Sequence, residues 1–318
     1  MRIGVLTSGG DAPGMNGAVR AVVRAGISNG HTIIGVYQGY KGLVEGHMAE
    51  MDVASVANII HRGGTMLKTA RCPEFKTVEG KEQALKNIKE WNLDGLVVIG
   101  GDGSMKGAIE LSKAGVNVMF IPATIDNDMG YTNYTIGYDT ACNTVVNAIA
   151  NIRETGMAHD KITILEVMGR DCGDIAMRAG ICGGADAILI PEVEPDMDRM
   201  MYNLKCGIDR NKKNHIIVRA EGVEITTDQL AKKIEEFAGE SVRKVVLGYL
   251  QRGGSPSAMD VYISTLMGVK AIELFEENER DIALGFNGID VTVSNIVVAS
   301  QMTKETDIGL VQTAYKLI

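Results

Sequence analysis

The chain has 318 residues, 45% of them hydrophobic, and a formal net charge of −8. This length allows one large or two medium domains with a sizeable core, and the acidic balance argues against nucleic acid or an anionic membrane as a partner. Five cysteines without a C-x-x-C pair and five histidines without zinc-like spacing predict reduced thiols and no zinc site. The N-terminus enters an apolar strand at once and no apolar run reaches membrane-spanning length, so we expect a soluble, cytoplasmic protein.

A glycine-rich loop follows the first predicted strand. Residues 2–8 form an apolar run, residues 9–14 read Gly-Gly-Asp-Ala-Pro-Gly, and a helix is predicted to begin near Met15. Glycines let the backbone approach an anion closely, and the N-terminus of the following helix favours phosphate there. The pattern therefore indicates an anion site.

The same arrangement occurs again after the strand predicted at 95–99. Residues 100–104 read Gly-Gly-Asp-Gly-Ser, and helix-forming residues continue from Met105 to Ala114. Asp102, an acid in a predicted anion site, makes best sense if Mg²⁺ lies between its carboxylate and the phosphates. A plain strand-to-helix turn is the alternative. Neither loop matches the P-loop, dinucleotide or protein-kinase signatures, so any phosphoryl chemistry here uses a different cradle.

Two carboxylates lie two residues apart after the next apolar run, 116–121. Residues 122–128 read Pro-Ala-Thr-Ile-Asp-Asn-Asp, and alternate side chains of an extended segment share one side. Asp126 and Asp128 can therefore face one substrate, with one accepting a proton while the other positions the substrate or a cation. Asp and Asn are also ordinary turn formers, so a simple turn is the alternative.

Apolar runs and helical stretches alternate along the chain, which is typical of a parallel α/β sheet. The predicted strands cover 2–8, 31–37, 95–99, 116–121, 162–167, 187–190, 215–219 and 245–248. Helices are predicted from their N-cap residues, from Asp52 to about His61, from Thr77 to about Trp91 and from Asp139 to Glu154. Two packed α/β lobes are favoured over one large sheet, with the ligand at the carboxyl ends of the strands.

The chain resembles the ATP-dependent 6-phosphofructokinase family over nearly its whole length, because five motifs occur in that family's order and spacing. They are Gly-Gly-Asp-Ala-Pro-Gly-Met-Asn at 9–16, Gly-Gly-Asp-Gly-Ser at 100–104, Thr-Ile-Asp-Asn-Asp at 124–128, Met-Gly-Arg at 168–170 and Gln-Arg-Gly-Gly-Ser-Pro at 251–256. The resemblance implies two similar three-layer α/β lobes with mostly parallel sheets, assembled as a homotetramer. It also implies transfer of the γ-phosphoryl group of Mg-ATP to the 1-hydroxyl of fructose 6-phosphate, a step of glycolysis.

The implied lobes are discontinuous in sequence. We expect an ATP-binding lobe at 1–138 and 252–301, and a sugar-phosphate-binding lobe at 139–251 and 302–318. The residues that match nucleotide-contacting positions are Gly10, Tyr40 (near the adenine), Arg71, Cys72, Asp102, Gly103, Ser104 and Gly107. By the same resemblance, Asp102 holds Mg²⁺ directly or through water.

The resemblance further implies that Asp126 is the base for the sugar hydroxyl. Thr124 and Asp128 are expected to position the reacting groups, while the Gly10 N–H and Arg71 stabilise charge on the moving phosphoryl group. Arg170 is expected to belong to the same catalytic set. The sugar phosphate is expected to contact Thr124, Asp126, Met168, Gly169, Arg170, Glu221, Tyr249 and Arg252 of one subunit, with Lys161 and Arg243 of its neighbour.

A regulatory site for ADP or phosphoenolpyruvate at a subunit interface is also implied. The matching positions are Arg20, Arg24, Arg153, Asp186, Arg210, Lys212 and Lys213. Arg20 and Arg24 are one helical turn apart and therefore share a face of their helix. The cations of this set would repel one another at an interface unless an anion bound there. Val53 stands where relatives can have Arg, and Asp186 is shorter than the Glu often found there. The strength of regulation therefore stays open.

Three departures from the family pattern touch the expected active site. Ala123 stands where ATP-dependent members usually have Gly, Lys161 where they usually have Arg, and Tyr249 where they usually have His. Pyrophosphate-dependent relatives carry Lys at the position of Ala123 and Asp at that of Gly103, and both would fill the space of the ATP α-phosphate. Both residues are small here, which favours ATP. The Tyr249 hydroxyl can still donate to a sugar-phosphate oxygen.

Other functional classes are consistent with part of the pattern. Gly-Gly-Asp-Gly loops also occur in NAD kinases and lipid kinases, which the chain would resemble if the other motifs were accidental. A sugar-phosphate sensor without catalysis is a second alternative, but it would not need Asp102, Asp126 and Arg170 together. A phosphofructokinase that uses pyrophosphate is the nearest alternative.

Overall fold

The computed structural model describes residues 1–157, 161–212 and 214–317. Contacts divide the chain into two compact units. The first unit comprises Met1–Ile125, Met129–Thr140 and Arg252–Lys304, and the second comprises Asp126–Asp128, Ala141–Gln251 and Glu305–Ile318. Three residues of the predicted catalytic loop therefore group with the second unit.

Eleven strands and eleven α-helices alternate through the described residues. In chain order they are β1 (Arg2–Thr7), α1 (Met15–Ser28), β2 (Thr32–Val36), α2 (Tyr40–Glu45), β3 (Met48–Met51), α3 (Val78–Glu90), β4 (Gly95–Gly100), α4 (Asp102–Lys113), β5 (Val118–Pro122), α5 (Tyr138–Met157), β6 (Ile162–Val167), α6 (Asp174–Gly183), β7 (Ala187–Leu189), α7 (Met197–Asp209), β8 (His215–Ala220), α8 (Thr227–Ala238), β9 (Val242–Val246), α9 (Ala258–Glu276), β10 (Ile282–Phe286), β11 (Val291–Asn295), α10 (Ile296–Gln301) and α11 (Ile308–Leu317).

The first unit is built on a seven-stranded sheet in the order β11-β10-β5-β4-β1-β2-β3. Its inner pairs are parallel, and the edge strands β3 and β11 are antiparallel to their neighbours. All six residues of β4 are buried, as expected for a central parallel strand that is covered on both faces. Because β1, β4 and β5 are parallel neighbours, the loops that follow them lie at one edge of the sheet.

The second unit contains a four-stranded parallel sheet in the order β7-β8-β6-β9. At the start of β6, Ile162 pairs with His215 of β8 and with Val242 of β9. The carboxyl ends of β6, β8 and β9 therefore share one edge of this sheet, and their amino ends share the opposite edge.

The α/β class with two mostly parallel sheets is confirmed, and every predicted strand overlaps an observed one. The strand predicted at 245–248 is displaced, since β9 covers Val242–Val246 and Gly248 begins a 3-10 helix with φ 49°. Three observed strands were not predicted from the sequence. They are β3 and β11, whose mostly half-exposed residues give a weak apolar signal, and β10, which is buried.

The predicted helices have different outcomes. Thr77 caps α3 by accepting from Gly80 N at 3.0 Å, as predicted. The helix predicted at 139–154 is confirmed as α5, with Val145 and Ile149 buried, but it begins at Tyr138, so Asp139 lies in its first turn and is not its N-cap. The helix predicted from Asp52 is wrong, because residues 53–58 form turns. There the Asp52 carboxylate accepts from Ser55 N at 2.7 Å, a local bond that competes with helix formation. Among the described residues, no helix is both long and apolar enough to cross a membrane.

Candidate active site

The first glycine loop is packed against an arginine of the Gln-Arg-Gly-Gly-Ser-Pro motif. A Cβ added to Gly10 would lie 2.5 Å from Arg252 Nη1, so a glycine is needed for this close approach. Arg252 Nη1 also donates to the carbonyl oxygen of Asp11 at 3.4 Å. The loop ends at Gly14, the N-cap of α1, whose φ of 107° favours glycine. Arg252, predicted to contact the sugar phosphate, thus also supports the loop predicted to contact the nucleotide.

The second glycine loop opens α4 with an exposed carboxylate. Asp102 is the first residue of the helix, its side chain is 46% exposed, and Lys106 Nζ lies 2.6 Å away. A Cβ added to Gly103 would meet nothing within 4 Å, so this side of the loop is open. Ser104 is buried, and its Oγ has no hydrogen-bond partner among the described residues. An open backbone and an exposed carboxylate at a helix N-terminus suit a phosphate chain with its cation.

Tyr40 supports the start of α4 from inside the first unit. Its hydroxyl donates to the carbonyl oxygen of Ser104 at 2.6 Å, and its ring stacks on Phe75 at 4.4 Å. Burial raises the pKa of this hydroxyl well above its ordinary value. A Cβ added to Gly107 would lie 2.5 Å from the Tyr40 ring, so glycine there makes room for the tyrosine. The expected contact between Tyr40 and adenine stays a prediction.

The other residues predicted to contact the nucleotide lie on the segment that precedes α3. Arg71 is exposed, whereas Cys72 is half-buried and packs against the hydrophobic core. Burial raises the pKa of the Cys72 thiol, which argues for a packing residue and against a reactive thiolate. The roles expected of both residues stay predictions.

Thr124 lies beside the second glycine loop. A Cβ added to Gly101 would be 3.4 Å from Thr124 Cβ, and Thr135 Oγ1 donates to the Thr124 carbonyl oxygen at 2.6 Å. The preceding Ala123 is 1% exposed and donates from its N–H to Gly100 O at 2.8 Å. The fold of the first unit therefore brings together both glycine loops and the beginning of the Thr-Ile-Asp-Asn-Asp segment.

The second unit joins the two predicted carboxylates to Arg170. Arg170 Nε lies 3.2 Å from Asp126 Oδ2, and Nη1 lies 3.9 Å from Asp128 Oδ2. Asp126 is 1% exposed, whereas the arginine side chain is 59% exposed. The carboxylate of Glu221 accepts from Gly169 N at 3.2 Å and from Arg170 N at 2.9 Å. These bonds hold Arg170 at a φ of 54°, an uncommon conformation for a residue other than glycine.

Two further residues of the predicted sugar-phosphate set, Met168 and Tyr249, belong to the second unit. Met168 N donates to the side-chain oxygen of Gln251 at 3.1 Å, and Gln251 is completely buried. Gln251 is the first residue of the Gln-Arg-Gly-Gly-Ser-Pro motif, and no role was predicted for it from the sequence. Tyr249 is 83% exposed, so its hydroxyl is accessible to a ligand.

Sequence reasoning missed one contact of the carboxylate segment. Asn127, between the two aspartates, donates from Nδ2 to Asp174 Oδ2 at 2.7 Å. Asp174 opens α6, where an acidic residue also suits the positive end of the helix dipole. That helix-start pattern was the only available signal, and it does not indicate a partner 47 residues away.

Lys161 and Arg243 are separated from Arg170 by the length of a strand. Lys161 precedes β6 and donates to Ser241 Oγ at 2.9 Å, while Arg170 follows the carboxyl end of the same strand. Arg243 lies near the start of β9, opposite Thr163. Six strand residues span about 20 Å. The second unit of one chain therefore does not bring these two cations to Arg170.

The predicted effector residues of the second unit line or approach one cavity of about 370 Å³. It is lined by Gly184, Ala185, Asp186, Asn203, Cys206, Gly207, Arg210, Lys212 and Leu317. Arg153 donates to the carbonyl oxygens of Gly183 and Gly184 at 2.9 and 2.6 Å. Arg20 and Arg24 belong to α1 of the first unit, and Lys213 lies outside the described residues.

Asp186 is the acidic member of this set. Burial opposes its ionisation, but the His215 ring 3.4 Å away, Lys212 and the Ile216 N–H hold the pKa of the carboxyl below its ordinary value. The Ile216 bond is 2.9 Å long, and Lys212 Nζ also donates to the carboxylate. Asp186 therefore stays charged and orders the lysine at the cavity wall.

No three His, Cys, Asp or Glu side chains among the described residues are grouped so that they could hold a metal ion. One exposed carboxylate remains at the open glycine loop, that of Asp102. Mg²⁺ commonly takes one or two protein carboxylates and completes its shell with phosphate and water oxygens. Asp102 fits that role.

Comparisons with known proteins agree on one family. The family model described as Phosphofructokinase matches residues 2–275. The ATP-dependent 6-phosphofructokinase of Alkaliphilus metalliredigens (strain QYMF) is 51% identical over 305 residues, covering 96% of this chain and 95% of the relative. That of Clostridium botulinum (strain Loch Maree / Type A3) is 47% identical over 305 residues, with the same coverage of 96% and 95%.

Solved structures show the same similarity. The phosphofructokinase of Saccharomyces cerevisiae superposes with a TM-score of 0.90 at 32% identity over 99% of this chain and 47% of the yeast chain. The chain thus spans about half the length of that relative. A pyrophosphate-dependent phosphofructokinase from Marinobacter aquaeolei has a TM-score of 0.85 at 20% identity, over 97% of this chain and 86% of its own. At that identity it supports the fold alone.

Proposed function

Because the chain belongs to the phosphofructokinase family, we propose that it transfers the γ-phosphoryl group of ATP to the 1-hydroxyl of fructose 6-phosphate. The product is fructose 1,6-bisphosphate, and the reaction is a step of glycolysis. One observation carries the proposal within the structure: the buried Asp126 carboxylate of the Thr-Ile-Asp-Asn-Asp segment lies 3.2 Å from Arg170. A buried carboxylate can accept the proton of a substrate hydroxyl, and the partly exposed arginine beside it can bind the phosphate of the same substrate.

In this proposal, Asp126 accepts the proton of the sugar 1-hydroxyl as the hydroxyl oxygen attacks the γ-phosphorus of ATP. The bond between that phosphorus and the bridging oxygen of the β-phosphate breaks, and ADP leaves. Phosphoryl transfer needs alignment and charge neutralisation more than covalent help from the protein. Arg170 orients the Asp126 carboxylate and offers its remaining N–H donors to the substrate. Asp128 and Thr124 position the reacting groups, while Arg71 and the Gly10 N–H neutralise charge on the moving phosphoryl group.

The sugar phosphate is proposed to contact the segment that follows β6 together with Glu221, Tyr249 and Arg252. Met168 and Gly169 provide the backbone of that segment, and Gly169 has a φ of 137° that favours glycine. The exposed side chain of Arg170 and the exposed Tyr249 hydroxyl are accessible to phosphate oxygens.

The nucleotide is proposed to lie against the two glycine loops and the start of α4. Gly103 is open toward solvent and the Asp102 carboxylate beside it is exposed, which favours a phosphate chain with its cation there. Cys72 and Gly107 complete the proposed nucleotide contacts. We propose that Asp102 holds Mg²⁺, which when bound neutralises phosphate charge. The Asp102 carboxylate must then exchange its pairing with Lys106 for the cation.

A homotetramer is proposed from membership of the family, and the position of Lys161 and Arg243 supports the contribution of a neighbouring subunit. Since one chain leaves these cations about 20 Å from Arg170, they reach a shared sugar phosphate only from a neighbouring subunit. A regulatory site at a subunit interface is also proposed, where the cavity beside Asp186, Arg210 and Lys212 binds an anionic effector such as ADP or phosphoenolpyruvate. The other residues proposed for that interface site are Arg153, Lys213, Arg20 and Arg24. The cytoplasm stays the expected compartment.

A coupled assay with fructose 6-phosphate tests the proposal. ATP and pyrophosphate are compared as donors, with and without Mg²⁺ and with and without ADP. We expect turnover with Mg-ATP and fructose 6-phosphate only. Turnover with pyrophosphate instead of ATP would favour the alternative donor, and ATP consumption with NAD or a lipid instead of the sugar phosphate would contradict the proposed acceptor.

A further inference from the structure

Asn127 separates the two proposed reactive carboxylates in an uncommon backbone conformation. Its φ is 52°, in the left-handed region that Asn enters more readily than most residues but still at a cost. Such conformations persist when surrounding contacts hold them. The direction of the backbone at this residue determines where the side chains on either side of it point. Whatever holds Asn127 therefore aims Asp126 and Asp128.

The hydrogen bond from Asn127 Nδ2 to Asp174 Oδ2 is 2.7 Å long and has a charged acceptor, which makes it one of the stronger kinds. Asp174 stands at the start of α6, a ten-residue helix whose Ile175, Ala176 and Met177 are buried. In addition, Cys172 Sγ lies 3.9 Å from the carbonyl oxygen of Asn127. The acceptor is thus attached to a packed helix, a more rigid support than a loop.

We propose that Asp174 is a positioning residue for the phosphoryl transfer, which holds Asn127 and thereby aims the carboxylates of Asp126 and Asp128. This inference rests on the proposed function. The pairing of Asp126 with Arg170 does not replace the hydrogen bond to Asp174, because the arginine side chain is 59% exposed and must also serve the substrate. Asp174 instead acts through the Asn127 side chain, on the residue between the two carboxylates.

A purely structural role for Asp174 predicts a different pattern of variants. As an acidic residue in the first turn of α6, Asp174 also stabilises the helix through its charge. The proposed role requires an acceptor oxygen, whereas the helix role requires the negative charge. Asp174→Asn keeps an acceptor oxygen and loses the charge, and Asp174→Ala loses both. Asp198, exposed in the first turn of α7, offers a matched control because Asp198→Asn removes a helix-start charge elsewhere.

The experiment combines steady-state kinetics with hydrogen exchange of the peptide that contains residues 126–128. We expect Asp174→Ala to lower kcat about 10- to 100-fold, as for a misplaced catalytic group, with KM for ATP within about twofold. Asp174→Asn should keep kcat within about threefold, and Asp198→Asn should behave as the unmodified protein. Exchange in the 126–128 peptide should accelerate in Asp174→Ala but not in the other two variants.

Two kinetic results would overturn the inference. One is a folded Asp174→Ala variant with unchanged kcat, and the other is an Asp174→Asn variant that loses as much kcat as Asp174→Ala, which would assign the effect to charge. If Asp174→Ala does not fold, Asp174→Ser takes its place, since serine suits a helix start but its shorter side chain does not reach Asn127. If the unmodified protein does not phosphorylate fructose 6-phosphate, the proposed function fails, and the exchange data alone decide whether Asp174 holds the segment.

Discussion

Arg170 Nε lies 3.2 Å from Asp126 Oδ2, and Nη1 of the same guanidinium lies 3.9 Å from Asp128 Oδ2. Two carboxylates two residues apart would repel each other in a largely buried place, and the arginine offsets that repulsion. The planar guanidinium has five N–H donors, so it can contact both carboxylates and still donate to a phosphate. The pair therefore connects the proposed base with the proposed substrate-binding cation.

Replacing the proposed base should affect turnover and not nucleotide binding. We expect Asp126→Ser to lower kcat by roughly 10²–10⁴-fold, the contribution of a positioned base, while the affinity for ATP stays nearly unchanged. Steady-state kinetics and ATP titration of the variant measure the two quantities. Glu224→Gln, which alters an exposed carboxylate of the same unit, is the control and should keep kcat. Near-normal turnover of Asp126→Ser would remove this residue from the mechanism.

The phosphoryl donor can be tested at Gly103. Since a Cβ added to Gly103 would meet nothing within 4 Å, Gly103→Asp should leave the unfolding midpoint unchanged but oppose the ATP phosphates by charge and volume. We expect loss of most ATP-dependent turnover, with Gly103→Ala as the smaller, uncharged control. The companion change Ala123→Lys would also lower the stability of the protein, because Ala123 is 1% exposed and an ammonium there would be buried. Full ATP turnover in Gly103→Asp would show that no phosphate lies beside this residue.

The contact between Gly10 and Arg252 predicts a coupled effect of two substitutions. Gly10→Ala should displace the guanidinium, since the new Cβ would lie 2.5 Å from Nη1. We expect both Gly10→Ala and Arg252→Ala to raise KM for fructose 6-phosphate by roughly tenfold, the equivalent of about one charge-assisted hydrogen bond. Because they disturb the same contact, the double variant should raise this KM little further. Fully multiplied effects in a double-mutant cycle would show that Gly10 acts independently of Arg252.

Lys161 tests the proposed contribution of a neighbouring subunit. Arginine can bind two phosphate oxygens through its planar fork, whereas lysine offers a point charge. We expect Lys161→Arg to lower KM for fructose 6-phosphate by roughly tenfold, while Lys161→Ala raises it and weakens any cooperativity. Ser241→Ala, which removes the Lys161 hydrogen-bond partner at 2.9 Å, should have a much smaller effect. An unchanged KM in Lys161→Ala would make this an ordinary solvated lysine.

Asp260 predicts how the stability of the first unit changes with pH. Burial raises the pKa of its carboxyl from 3.8 to about 6, although Thr140 and the Gly137 N–H donate hydrogen bonds to it. Because the folded state binds this proton more tightly than the unfolded state, its contribution to stability is fully present below about pH 4 and is lost as pH rises through about 6.

The measurement compares the free energy of unfolding of the unmodified protein and of Asp260→Asn at pH 4 and pH 7. The asparagine does not titrate, so the difference between the two proteins isolates the carboxyl. We expect the stability of the unmodified protein relative to the variant to fall by roughly 2–2.5 kcal/mol from pH 4 to pH 7, most of a two-unit pKa shift, because the unfolded carboxyl is already partly ionised at pH 4. A difference that is independent of pH would contradict the raised pKa.

Several elements could be predicted from sequence because local interactions determine them. The central strands β1, β4, β5 and β6 consist of apolar runs that are buried along most of their length, so composition alone indicates them. Thr77 caps α3 through an atom three residues away. Where the local signal was ambiguous, the prediction was wrong, as at Asp52, whose side chain stabilises a turn instead of a helix.

Motif order and spacing, together with local apolar patterns, determined the family, the α/β class and the segments to examine for chemistry. Only the tertiary structure decided which side chains meet: Arg252 against Gly10, 242 residues apart, and Asp174 beside Asn127, 47 residues apart. It also decided that Lys161 and Arg170 lie at opposite ends of β6. The physical reason is that helix and strand formation depends on neighbours along the chain, whereas these contacts depend on how separate elements pack, which local patterns do not encode.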